Sequence, residues 1–288
     1  MTTPIIAITG SSGHIGGMVA RHLSHAGFPL ILPLRNPAKA PALPDTEPRL
    51  CDYADHAAAK AALNGVAILF MVSAAESPTR EADHRTFVAA AAEAGVKHIV
   101  YLSFAGAAAD STFTLARTHA DTETAIRRSG MSHTFLRDNF YSEMMTELAD
   151  SNGIIRGPAN NGRVACVSQY DVAEAAAKII QSIAAGNSRH FNQTYTFTGS
   201  ESLSFTDIAA QLSTHRGTHY AFHNETLEEA YASRRAAYPD TPDWMLDAWV
   251  STYTAIATGE LSHVQPDLAE ILGRPPRTFS QVLQKKAV

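Results

Sequence analysis

Residues 4 to 17 read Pro-Ile-Ile-Ala-Ile-Thr-Gly-Ser-Ser-Gly-His-Ile-Gly-Gly. The apolar run Ile5 to Ile8 stops at Gly10, and Gly13 and Gly16 follow at three-residue spacing. An amphipathic stretch with Ile15, Met18, Val19 and Leu23 on one face then runs to Gly27. The pattern predicts strand, tight turn, helix. Glycines let such a turn bend and let its N–H groups approach a pyrophosphate closely, while the helix N-terminus adds partial positive charge. Three glycines alone need be no more than a turn. The strand before them, the helix after them and their place at the start of the chain point to a dinucleotide site. Its residues are Gly10, Ser11, Ser12, Gly13, His14 and Ile15.

Strands and helices alternate onward. Leu30 to Leu34 is a second apolar run, and a polar stretch with Pro41, Pro44 and Pro48 leads to a short strand near Arg49 to Cys51. His56 to Leu63 reads as helix, and Val66 to Val72 as a strand covered on both faces. A helix from about Glu81 to Ala94 stops at Gly95; Lys97 to Phe104 is strand, Leu115 to Ser129 helix, and Thr134 to Leu136 begins another strand. Right-handed crossovers make this alternation a parallel, doubly wound, Rossmann-like α/β sheet. Beyond residue 150, a helix at Asp171 to Ala184 and a strand at Gln193 to Thr198 still join the sheet. From Gly217 the chain is expected to be largely helical, with Trp244 and Trp249 in the core. Residues 1–288 read as one unit, in which 1–150 form the dinucleotide-binding region and 151–288 complete the sheet and cover a substrate cleft with a small, mainly helical part.

Composition removes several function classes. Net charge is −5 without a basic run, so the electrostatic footprint of a nucleic-acid binder is missing. No apolar segment approaches the roughly 18 residues that span a bilayer, and a strand at the N-terminus leaves no room for a signal peptide. Cys51 and Cys166 are the only cysteines and form no C-x-x-C, which disfavours a disulfide scaffold or a metal site and suits a cytoplasmic protein.

In a dinucleotide fold the end of the second strand meets the adenosine ribose, where an acid favours NAD and a base NADP. Arg35 fills that position, with Asn36 and Lys39 after it and no acid beside it. An arginine there can also be a solvated strand end, but the balance selects NADP(H). Asp52, with Tyr53, suits the adenine amino group or a plain turn, and Val72, Ser73 and Ala74 suit the middle of the cofactor. Ser103 and Phe104 end one strand, and Asn139, Phe140 and Tyr141 follow another, at the carboxyl edge where ligands bind. Their aromatic rings either stack on nicotinamide or a flat acceptor, or pack in the core. No tyrosine has a lysine four residues on, so the phenol relay of ordinary short-chain dehydrogenases is absent.

Several motifs together resemble the NmrA-like branch of the atypical short-chain dehydrogenases/reductases, and within it the NADPH-dependent quinone oxidoreductase type 2 and triphenylmethane reductase groups. They are Thr-Gly-Ser-Ser-Gly-His-Ile-Gly (9–16), Arg-Asn-Pro-Ala-Lys-Ala (35–40), Val-Ser-Ala-Ala-Glu (72–76) and His84-Arg85. Leu-Ala-Arg-Thr-His-Ala-Asp-Thr-Glu (115–123) and Thr-Phe-Leu-Arg-Asp-Asn-Phe-Tyr-Ser-Glu (134–143) are the more specific pair, and the resemblance covers most of the chain. Where quinone reductases of this type often carry Asn-Gly-Trp-Tyr, this chain reads Asn139-Phe140-Tyr141. The resemblance implies hydride transfer from NADPH to a quinone-like or other conjugated small molecule; its regulatory members imply the alternative of an NADP(H) sensor without turnover. The expected partner is that acceptor, with no nucleic acid or membrane, and a homodimer is compatible with this. His119 stands fifteen residues before Thr134, as a catalytic lysine does in the isoflavone-reductase-like branch. The resemblance thus places His119 beside the nicotinamide as proton donor or ribose ligand, with Tyr141 and water as other proton sources. The plain alternative is a helix histidine bonded to a carbonyl or to Glu123.

Overall fold

The computed structural model describes residues 3–284. The chain begins β1 (Ile6–Ile8), α1 (His14–His25), β2 (Leu30–Leu34), β3 (Thr46–Leu50), α2 (His56–Ala62), β4 (Ile68–Met71), α3 (Arg80–Glu93) and β5 (His98–Phe104). It continues α4 (Thr114–Arg128), β6 (Ser132–Asp138), α5 (Ser142–Met145), β7 (Ile154–Gly157), β8 (Arg163–Val164), α6 (Gln169–Ala184) and β9 (Gln193–Phe197). The remainder is β10 (Leu203–Ser204), α7 (Phe205–Arg216), β11 (Ala221–Asn224), α8 (Leu227–Ala237), α9 (Asp243–Ala257), α10 (Asp267–Leu272) and α11 (Phe279–Gln284).

Every residue of β1, β2, β4 and β5 is buried, which is why these strands carry apolar runs rather than alternation. Seven strands form one sheet in the order β3-β2-β1-β4-β5-β6-β9. β1 pairs parallel with β2 and β4, β2 with β3, and β4 with β5. The order reverses between β1 and β4, the point at which open α/β sheets bind their ligands. On one face Leu69, Met71, Ile99 and Tyr101 pack with Phe87, Val88 and Ala91 of α3. The Rossmann-like reading of the sequence holds.

The described residues group into two units. The first comprises residues up to 104, 118–137 and 170–195, and the second 105–117, 138–169 and 196 onward. Within the second, β11 pairs parallel with β7 and β10 antiparallel with β8.

Two local expectations, the place of the third strand and the burial of the tryptophans, need correction. The third strand lies at Thr46–Leu50 rather than near Arg49 to Cys51. It includes Pro48, which reads as a breaker in sequence; β3 is the sheet edge, where a missing N–H costs no ladder bond. The stretch after Gly217 is largely helical, as expected, and also holds strand β11, where pairing with β7 overrides four residues of weak pattern. Trp244 and Trp249 are half-buried rather than core, and Trp249 meets Tyr238 edge-on at 5.3 Å. Both cysteines are free and buried. No helix of the described residues is long and apolar enough to cross a membrane.

Candidate cofactor site

β1 runs out at Ile8, and Thr9 and Gly10 turn the chain toward α1. Gly10 has a φ of +64°, and a side chain on it would meet Val72 Cβ at 3.0 Å. Gly16 is tighter still: its Cβ would lie 2.3 Å from Gly10 O. α1 therefore begins directly against the turn. Its N-cap, Gly13, has no side chain to accept from the first-turn amides, and that turn holds no acid. Asp55, by contrast, caps α2 by accepting from Ala58 N–H at 3.0 Å. Uncapped first-turn amides at the positive end of the helix dipole suit an anionic phosphate. Ser11 Oγ fits the same reading, since it is buried without a hydrogen-bond partner among the described residues.

A cavity of about 520 Å³ opens at this turn within the first unit. Thr9, Gly10 and Ser12 line it from the end of β1, and Pro33 to Asn36 with Lys39 from the end of β2. Cys51, Asp52 and Tyr53 follow from β3, and Val72 to Ala75 from β4. Asn36 Oδ1 accepts Ala38 N–H at 3.1 Å and starts the short 3₁₀ turn Pro37–Lys39, which brings Lys39 to the cavity. Two exposed cations without an acid at the β2 end suit a phosphate dianion better than a ribose diol. Asp52 is at once a turn residue, accepting Ala54 N–H at 3.0 Å, and a cavity residue. Tyr53 Oη lies 2.7 Å from both Thr9 Oγ1 and Val72 O, and its ring stacks on Phe87 at 3.9 Å. Burial, reinforced by Asp52 and Asp55, pushes the Cys51 thiol up to about 12, so this cavity residue is no nucleophile. No cluster of metal-ligating side chains occurs among the described residues.

His119 is buried on α4 (8% exposed) and bonds neither a carbonyl nor Glu123. Its Nε2 is 3.1 Å from Arg80 Nη2, and its Nδ1 is 2.9 Å from Tyr101 Oη. A guanidinium only donates, so Nε2 must accept, and a neutral ring then carries its proton on Nδ1, donating to Tyr101. Burial, followed by the charge of Arg80 and then His84, holds the His119 pKa well below 6.5. Phe104, also buried, has its ring centroid 6.2 Å from that of His119.

A family model described as NAD(P)H-binding matches residues 10–182. Quinone oxidoreductase 2 of Escherichia coli is 32% identical over 284 residues, with 96% of each chain covered. The chain belongs to the NAD(P)H-binding family. The crystal structure of the E. coli NADPH-dependent quinone oxidoreductase complexed with NADPH superposes on this family member with a TM-score of 0.86 at 31% identity, covering 96% of this chain and 98% of that one. Citrobacter sp. triphenylmethane reductase complexed with NADP(H) gives 0.83 at 29% identity, covering 98% and 99%.

In this NAD(P)H-binding chain, Gly10, Ser12, Arg35, Asp52, Tyr53, Val72, Ser73 and Ala74 meet at one cavity. Ser11, Gly13, His14 and Ile15 belong to the adjoining turn and the start of α1, where Ile15 points into the core. Ser103, at the end of β5, is fully buried, and its hydroxyl donates to Glu123 Oε1 at 2.7 Å. Asn139, Phe140 and Tyr141 lie in the second unit and have partners there. Asn139 Nδ2 donates to Leu261 O at 3.0 Å, and Phe140 meets Phe113 edge-on at 5.1 Å. The Tyr141 hydroxyl donates to Asp138, whose carboxyl burial pushes up to about 8. Burial and that carboxylate raise the Tyr141 phenol well above its ordinary pKa, which makes it a poorer acid.

Sequence reading passed over Arg80, Tyr101 and the Glu123 network. Glu123, 1% exposed, takes two parallel bonds from Arg137 (2.8 and 2.7 Å) and one from Arg127 at 2.9 Å. Glutamate and arginine at i and i+4 were a visible signal for the Arg127 pair alone. Removing one partner of a buried pair strands the other. With Arg127 still present, Arg137→Met is expected to cost about 3 kcal/mol, read as a shift in the urea unfolding midpoint. An unchanged midpoint would mean that Glu123 is satisfied without Arg137.

Proposed function

We propose that this protein is an NADPH-dependent reductase that passes hydride to quinone-like or other conjugated small molecules. The observation that carries this reading is end-to-end similarity to an E. coli quinone oxidoreductase, combined with a cavity at the sheet's switch point whose β2 end holds Arg35 and Lys39. The cofactor supplies the hydride; the protein supplies binding, orientation and electrostatics. Gly10 to His14 receive the pyrophosphate at the α1 N-terminus, and Arg35 and Lys39 the 2′-phosphate. Asp52 faces the adenine, and Val72 to Ala74 the central part.

His119 serves this site as a fixed neutral dipole rather than as an acid. Both ring nitrogens are already engaged, and burial opposes protonation. His119→Ala is therefore expected to raise the KM for NADPH and to lower turnover by much less than the ~10²–10⁴-fold typical of a lost proton donor. Between about pH 5.5 and 8.5, wild-type turnover should show no limb that the variant lacks. Such a limb, with a turnover loss above about 10²-fold, would make His119 the acid.

The function is tested by NADPH oxidation against a panel of benzoquinones, naphthoquinones and cationic triarylmethane dyes. Steady turnover with at least one class is expected. Tight dinucleotide binding without turnover on any acceptor would identify a dinucleotide sensor instead.

A further inference from the structure

The segment after β4 lines the cavity with Val72, Ser73, Ala74 and Ala75, yet belongs to no helix or strand. It is held at two points. Val72 N–H donates to Thr9 Oγ1 at 2.9 Å, with Val72 O against the Tyr53 hydroxyl. Two residues on, Ala74 N–H donates to His84 Nε2 at 2.9 Å. A backbone amide only donates, so Nε2 must be the unprotonated nitrogen. The other ring nitrogen, Nδ1, lies 2.7 Å from Thr122 Oγ1. Thr122 already gives its hydroxyl hydrogen to Thr118 O at 2.8 Å and can only accept from the ring. Counting donors fixes His84 as the neutral Nδ1–H tautomer, the same form that Arg80, one turn before His84 on α3, imposes on His119 of α4.

The surroundings keep it so. His84 is fully buried and faces Arg80 and His119, with the Tyr53 ring edge-on at 5.8 Å and the Tyr101 ring at 6.3 Å. Burial, then the charge of Arg80, pushes its pKa down to about 3.

We propose that His84 is a cofactor-positioning residue: as the Nδ1–H tautomer it ties the cavity segment at Ala74 to helix α4 at Thr122, and so sets the backbone against which the middle of the dinucleotide lies. The proposal rests on reading the cavity as the NADPH site. His84 touches no reacting atom; it acts through Ala74. The chain from Ala74 through His84 and Thr122 ends at Thr118 O, one residue before His119. Order in the cofactor segment and placement of α4 are thereby linked.

The test is a ladder of substitutions read by NADPH affinity. Glutamine can carry an acceptor oxygen to the position of Nε2, asparagine reaches only the position of Nδ1, and alanine reaches neither. Nucleotide-fluorescence titration should show His84→Gln within about twofold of wild type, and His84→Asn and His84→Ala weaker by roughly fivefold to tenfold, the worth of one lost hydrogen bond with some slackening of the segment. KM for NADPH should follow the same order while turnover at saturating NADPH changes less. Equal losses for Gln and Asn would reduce His84 to a core filler and overturn the proposal. Nitrogen NMR of the wild-type protein supplies a check that needs no variant: His84 Nε2 should be unprotonated and Nδ1 protonated between about pH 5 and pH 8. The opposite tautomer would overturn the proposal. Thr122→Val, which leaves residue 84 and the segment untouched, should weaken NADPH severalfold; no change would also count against the link. A wild-type protein that binds no dinucleotide would instead fail the cofactor reading itself, whatever tautomer His84 shows.

Discussion

Gly16→Ala, the addition of one methyl group, is expected to weaken NADPH binding by more than about a hundredfold, roughly 2.8 kcal/mol or more of binding free energy. The new Cβ would sit 2.3 Å from Gly10 O, 2.5 Å from Gly10 C and 2.7 Å from Thr9 O. All three are backbone atoms, so no side chain can swing aside. The turn cannot retreat either: Gly10 is already in the left-handed region with Val72 3.0 Å from its own missing Cβ. Helix α1 must therefore move, and with it the first-turn amides that no side chain caps. Gly13→Ala is the graded comparison, because its Cβ would meet only Gly10 O, at 3.3 Å. It should bind NADPH more tightly than Gly16→Ala by at least about tenfold, a difference of roughly 1.4 kcal/mol, and melt closer to wild type. Dinucleotide titration and thermal melting on the same samples separate binding from folding. A folded Gly16→Ala protein with wild-type affinity would show that the turn does not hold the pyrophosphate.

That turn was legible because everything it needs is contiguous: strand, glycines and helix within residues 5 to 25. The buried strands were legible for a similar reason, since burial on both faces leaves an unbroken apolar run such as Ile68–Met71. Edges were harder. Pro48 in β3 and the four residues of β11 become strand through pairing partners that their own pattern does not announce. The same division runs through the site. Arg35 could be read as a candidate site residue from its place at a strand end, with Lys39 beside it, and both line the cavity. Likeness to a family singled out His119, but nothing in the sequence gives its chemical state. That state is set by Arg80, thirty-nine residues earlier, whose only possible role in a hydrogen bond is to donate. Ser103 shows the same. Its strand-end position says nothing of its partner, Glu123, whose two arginines come from α4 and β6. Residues whose roles lie in one segment are visible in sequence. Residues whose roles lie in a donor–acceptor count across segments are visible only once the fold brings them together.

Arg35→Ala is expected to weaken NADPH by about tenfold or more while leaving NADH nearly unchanged, and Arg35→Ala with Lys39→Ala should bring the NADPH loss to about a hundredfold. Each hydrogen bond to a charged group contributes about 1.5–3 kcal/mol, and the cofactors differ only in the 2′-phosphate. Both side chains are exposed at the cavity and form no ion pair among the described residues, so neither substitution strands an internal partner. Melting temperatures should therefore stay at the wild-type value, which keeps the affinity change from being a folding effect. Salt offers an independent reading. If the 2′-phosphate meets two exposed cations, NADPH affinity should fall as ionic strength rises from about 0.01 to 0.15 M, over which the screening length shortens from roughly 30 to 8 Å. The double variant should lose most of that dependence relative to NADH. Arg35→Asp carries the argument to its opposite sign. A carboxylate at the end of the second strand repels the phosphate and can accept from the ribose 2′-hydroxyl, so this variant should prefer NADH. Equal losses for the two cofactors in Arg35→Ala, or an Arg35→Asp protein that still favours NADPH, would move the phosphate away from β2 and leave Arg35 a solvated strand end.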